Sequence, residues 1–167
     1  MTGVRADSGS PTPAPSGSNA GLPAPVGEPA DESAAGVALW QATLAAEHAV
    51  IWALGLVGAT GDLAGPADVA LTSHRQRRSV CLDVISDLGA EPVVSAAAYE
   101  VDKPKGTAAA RTLAGQLETA AAVAYLGLTS SQDRATRLLG ARWLREAAVA
   151  QQRWTGAVLP LPGFDLA

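Results

Sequence analysis

Glu47 and Glu118 are the residues whose surroundings in the sequence call for chemistry. Glu47 lies in the run Leu44-Ala-Ala-Glu47-His48-Ala-Val-Ile51, and Glu118 in Leu117-Glu118-Thr-Ala-Ala-Ala-Val-Ala-Tyr125. At helical spacing each carboxylate falls within an otherwise apolar face. An uncompensated ion in a helix-bundle core costs on the order of several kcal/mol, so each must be paired, neutralised or bound to metal. The nearest candidate cations come from the segment His74-Arg75-Gln-Arg77-Arg78, in which Arg78 projects within about 40° of His74 on a helical wheel. A planar guanidinium can grip a carboxylate with two parallel hydrogen bonds. Glu47, His74, Arg78 and Glu118 are therefore the expected core ionic network, with Arg77 or Arg111 as helpers. The competing reading sends the arginines to solvent, where surface pairs contribute little. It is preferred for Arg75 and stays open for Arg78.

Other reactive side chains have plainer readings. His48 is adjacent to Glu47 but turned by about 100°, which suits a hydrogen-bonded boundary histidine better than a ligand. Tyr125 lies beyond Glu118 on the same face and is expected in the core. Trp40, Trp52, Trp143 and Trp154 are packing anchors among alanines. Cys81, among Leu82, Val84 and Ile85, is a small buried hydrophobe, and a single cysteine excludes an internal disulfide framework. The sequence holds no nucleophile elbow, phosphate loop, Cys-x-x-Cys pair or dinucleotide fingerprint, so hydrolase, kinase and dehydrogenase readings have no support.

Four helical segments are expected to position these groups. The first runs from about Ser33 to Thr60 and aligns Trp40, Leu44, Glu47, Ile51 and Leu54. The second starts near Pro66 and ends at Gly89, with Ala67, Ala70, Leu71, His74, Arg78, Cys81, Ile85 and Leu88 inward. The third, about Thr107 to Thr129 with Thr107 as cap, aligns Arg111, Ala114, Glu118, Ala121, Ala122, Tyr125 and Leu128. The fourth, about Ser131 to Val158, groups Leu139, Trp143, Glu146, Val149 and Ala150. Short links join the first to the second and the third to the fourth, which forces antiparallel hairpins. The link between the hairpins, Ala90 to Gly106, can reach about 55 Å when extended, against about 36 Å for a helix the length of the second. It is long enough to cross the bundle end to end.

Composition bounds what such a bundle can do. The 167 residues are 48% hydrophobic but only 4% aromatic, a balance that favours helices packed through small side chains. Residues 1–32, rich in Pro, Gly and Ser, are expected to be a disordered tail, and residues 33–167 one domain. The net charge is −4, and Arg5 against Asp7, Glu28, Asp31 and Glu32 puts −3 of it in the tail. The remainder is nearly neutral, so a nucleic-acid partner is not expected. The start of the chain lacks a secretory pattern, and the longest apolar run, Val50 to Val57, is too short to span a bilayer. A cytoplasmic protein without a membrane partner is the expectation.

Taken together, Leu44-Ala-Ala-Glu47-His48-Ala, His74-Arg75, Leu88-Gly-Ala-Glu-Pro92, Leu117-Glu118 with Tyr125, and Arg153-Trp154 before the final Pro-Gly resemble the ferritin-like superfamily. The likeness is closest to its small, alanine-rich actinobacterial domain. It covers about Leu39 to Phe164 and implies an all-α, ferritin-like four-helix bundle. In the metal-binding members a Glu from one helix of each hairpin and Glu-x-x-His from the other project inward. Carried onto this chain, the resemblance makes Glu47, His74, Glu118 and Glu146 the candidate metal ligands. Leu71 and Val149 stand where a bridging carboxylate and a second imidazole are required. The leading expectation is therefore a degenerate metal site without cofactor, in a domain with a structural or interaction role, an unknown protein partner or self-association, and no enzyme activity. The alternative is an Fe- or Mn-dependent oxidoreductase or metal-handling protein. It would use the reduced set, or a mononuclear site of Glu47, His74 and Glu118 helped by His48, which would also suit Zn.

Overall fold

The computed structural model describes residues 29–157, with side chains from Ser33 onward. The expected disorder of residues 1–28 and the final Leu-Pro-Leu-Pro-Gly segment lie outside that range. The described chain is all-α, with four long helices: α1 (Pro29–Gly58), α2 (Ala64–Asp87), α3 (Thr107–Leu128) and α4 (Arg134–Thr155). Helix α1 starts inside the segment expected to be tail. A short 3-10 turn, Gly61–Leu63, joins α1 to α2 and buries Leu63. Helix α4 starts later than expected because Asp133 is its N-cap, its carboxylate accepting from the Thr136 amide at 2.7 Å. That hydrogen bond also lowers the Asp133 pKa.

Neighbouring helices meet through small residues. A Cβ on Gly58 would lie 3.3 Å from that of Ala67, pairing the end of α1 with the start of α2. A Cβ on Gly140 would lie 2.7 Å from the Leu128 Cβ and 2.9 Å from the Tyr125 carbonyl oxygen, and one on Gly115 would collide with the Thr155 side chain. Helices α3 and α4 therefore run antiparallel at a separation that only glycine permits. Trp143 ties the layers together, with its ring edge-on to Trp40 at 6.1 Å and to Tyr125 at 5.5 Å.

Residues 90–106 form no helix or strand and travel alongside α1. Gln41 fastens their start, donating from Nε2 to the Glu91 carbonyl at 2.7 Å and accepting from the Val93 amide at 2.8 Å. His48 Nε2 lies 3.2 Å from the Val93 carbonyl, and Trp52 packs on Tyr99 further along. The link thus climbs parallel to α1 and returns the chain to the far end of the bundle. Gly89 (φ 72°) and Gly106 (φ 87°) turn it at either end, in backbone conformations unfavourable to other residues. As a result α2 and α3 run parallel, and the first halves of both lie beside the second half of α4.

The inward faces match the expected arcs at Trp40, Leu44, Glu47, Leu54, Ala67, His74, Cys81, Ile85, Tyr125 and Leu128. Leu88 and Val149, expected inside, are each 45% exposed. Burial holds the Cys81 thiol well above its ordinary pKa. In α1 the stretch Ser33–Gly58 is long and apolar enough to cross a membrane by length and composition, because the alanines around Glu47 extend the Val50–Val57 run. Trp40, Leu44, Glu47 and Leu54 point that helix's buried side into the bundle.

Candidate functional site: a buried charge network beside an open cleft

Glu47 on α1, His74 on α2 and Glu118 on α3 meet in the core, each no more than 2% exposed. Their helices bring them together for a simple reason: each is the polar member of an apolar stripe, so each must face the axis. His74 Nδ1 is 2.8 Å from Glu47 Oε2, and His74 Nε2 is 3.5 Å from Glu118 Oε1. Burial alone would lower the His74 pKa. The hydrogen bonds to Glu118 and Glu47, with the charges behind them, more than offset this and raise it to about 9. The ring is therefore an imidazolium at neutral pH, hydrogen-bonded to Glu47 on one side and ion-paired with Glu118 on the other.

A second layer continues from Glu47. The Tyr125 hydroxyl donates to Glu47 Oε1 and accepts from Arg77 Nη1 at 3.1 Å. Burial, then the Glu47 charge, push the Tyr125 pKa up, so the hydroxyl stays protonated. Arg77 Nη2 reaches across to Glu146 Oε2 at 3.1 Å, and Arg142 Nε donates to Glu146 Oε1 at 2.8 Å. Arg77 also stacks on the Tyr125 ring, 5.2 Å from its centroid. Burial works against the arginine's charge, but Tyr125, Glu47 and Glu146 outweigh it and raise its pKa. Partial burial would raise the Glu146 pKa, yet Arg142 and Arg77 hold it below the ordinary range.

The network differs from the expected one in its arginine. Arg78 does not bridge Glu47 and Glu118. Its Nε is buried without a hydrogen-bond partner, and the bridging cation is His74, with Arg77 in the next layer. His74+3 and His74+4 flank the same stripe, so the wheel cannot choose between Arg77 and Arg78. The acceptors, Tyr125 and Glu146, lie on other helices, and they select Arg77. Glu146 stands apart from Glu47, His74 and Glu118, its two oxygens accepting from Arg77 and Arg142. His48 sits at the boundary on the link, as its position beside Glu47 implies. The role of Tyr125 in the network was not visible beforehand, since its partners are fixed only by tertiary packing.

The network forms the inner wall of a cleft of about 750 Å³ between α2 and α4. Among the described residues, no Cα of α2 comes within 8 Å of a Cα of α4, so this edge of the bundle stands open while the other three neighbouring pairs are closed. His74, Arg77 and Glu118 face the cleft from inside. Glu118 Oε2 is buried with no hydrogen-bond partner. Arg111, Arg145 and Arg153 line the outer part.

Among solved structures, that of a conserved hypothetical protein from Mycobacterium tuberculosis is similar, with 28% identity and a TM-score of 0.70 over 80% of this chain and 99% of that one. No curated protein matches the chain. The family model described as "Domain of unknown function (DUF4439)" matches residues 38–166, and the chain belongs to that family.

Proposed function

We propose that this domain is a ferritin-like bundle whose metal-ligand positions have become a self-neutralised ionic core, and that it acts by binding rather than by redox catalysis. The observation that carries this is His74 between Glu47 and Glu118. Both ring nitrogens and one oxygen of each carboxylate are committed to one another. The donor set is a poor fit to a dinuclear centre. Leu71 and Val149 supply no ligand, the Glu146 oxygens belong to Arg77 and Arg142, and no group of three or more His, Cys, Asp or Glu among the described residues is arranged to hold an ion. The hairpin order and the link running beside α1 support the ferritin-like assignment.

A second reading has one observation in its favour: two carboxylates and an imidazole are already in contact, a donor set suited to one Fe, Mn or Zn ion if the imidazolium gives up one proton. Elemental analysis of the purified full-length protein separates the two. The proposal expects well under one equivalent of Fe, Mn or Zn per chain. One or two equivalents, lost on Glu47→Ala or Glu118→Ala, would establish the second reading instead.

A further inference from the structure

The open edge between α2 and α4 has the chemistry of a ligand site, and three independent features define what it takes. The first is charge. Arg111, Arg145 and Arg153 are exposed and line the cleft, and none has a carboxylate partner among the described residues. The acids that face the same space, Glu118 and Glu146, are already engaged by His74, Arg77 and Arg142. The outer cleft therefore carries surplus positive charge that would attract an anion.

The second is the apolar wall. Val69 of α2, 71% exposed, and Val149 of α4, 45% exposed, both line the cleft, with Trp154 beside them. Side chains of this kind left open along a cavity of about 750 Å³ match the walls of small-molecule sites, which span roughly 300–1,000 Å³.

The third is the floor. Glu118 is 2% exposed, and its Oε2 has no partner. Glu118 lines the cleft, and an ionised carboxylate only accepts, so this half-satisfied group calls for a donor arriving from the cleft. Spacing links floor to rim. Arg111 precedes Glu118 by two helical turns on α3, and Arg153 follows Glu146 by two turns on α4, so the two ends stand roughly 10 Å apart.

We propose that this cleft binds an amphipathic anion, with a carboxylate or phosphate held by Arg111 and Arg153, an apolar body along Val69 and Val149, and a hydroxyl or amine at the far end donating to the Glu118 carboxylate. The inference deepens the binding role proposed above and rests on it only in that Glu118 carries no metal.

Isothermal titration calorimetry of the full-length protein with 8-hydroxyoctanoate, octanoate and octyltrimethylammonium tests it. The expected result is saturable one-to-one binding of 8-hydroxyoctanoate, about tenfold weaker binding of octanoate, as expected for one hydrogen bond to a charged acceptor, and no saturable binding of the cation. Arg111→Ala with Arg153→Ala, at exposed positions that leave the core intact, should weaken the hydroxy acid at least about tenfold and remove the salt dependence of its binding. No saturable binding of 8-hydroxyoctanoate, equal binding of all three probes, or an unaffected double variant would overturn the proposal. Elemental analysis of the same sample keeps the failures apart. Metal in the protein sinks the metal-free reading, whereas a metal-free protein that ignores the anions sinks only the cleft.

Discussion

At the scale of single residues, His74 holds the core charges together, and its removal is the most costly change the network predicts. His74→Leu leaves Glu47 and Glu118 buried without a cation and should cost about 3–5 kcal/mol in denaturant unfolding, the range for breaking a buried pair. Adding Glu47→Gln and Glu118→Gln to His74→Leu should recover part of that loss, because amides need no counter-charge. Arg77→Leu should also be costly, since it takes a donor from Tyr125 and the inner partner from Glu146. Arg78→Leu should cost less than about 1 kcal/mol, because its guanidinium makes no ion pair in the core. The pH profile follows from His74. Its folded pKa of about 9 lies above the ordinary 6.5, so its contribution to stability is complete below about pH 6.5 and is lost as pH rises through 9. Unfolding midpoints measured from pH 6 to 10 should fall over that window, and His74→Gln should flatten the fall. A wild-type profile that is level through pH 9 would contradict the assignment.

At the scale of the elements, the helices were legible from their breaks and caps, with an apolar stripe of helical period in α3 and α4, whereas α1 is apolar round most of its circumference. The long link was legible from its length and its small residues. Its attachment to α1 was not, because Gln41 is an unremarkable polar residue until the Glu91 and Val93 backbone groups come opposite it. The candidate site was half legible. Glu47, Glu118 and His74 stand out as polar groups on apolar faces, whereas the choice of Arg77 over Arg78 and the engagement of Tyr125 depend on which helices become neighbours. Glycine substitutions test the packing. Gly140→Ala places a Cβ 2.7 Å from that of Leu128 and 2.9 Å from a backbone oxygen that cannot yield, so it should destabilise by about 1–3 kcal/mol. Gly55→Ala, exposed on α1 with nothing within 4 Å, should instead stabilise by about 0.5–1 kcal/mol through helix propensity. If both changes had the same sign in thermal unfolding, the close α3–α4 approach would be wrong.

At the scale of the whole molecule, the bundle closes along three of its edges and stays open along the fourth, where Arg77 and Glu146 are the polar bridge from α2 to α4. The charge network and the cleft are thus two faces of one arrangement. Protons and guanidinium groups neutralise the interior, and the arginines left over line the exit. Everything rests on the charge state of His74. The most direct measurement is nitrogen NMR of the full-length protein labelled at histidine, which has only two such residues, His48 and His74. The account predicts that at pH 7.5 the His74 ring shows both nitrogens protonated and loses a proton only near pH 9, and that His74→Gln removes that signal. If the His74 ring instead titrates near the ordinary 6.5, or its signals are shifted by a bound metal, the self-neutralised core does not exist.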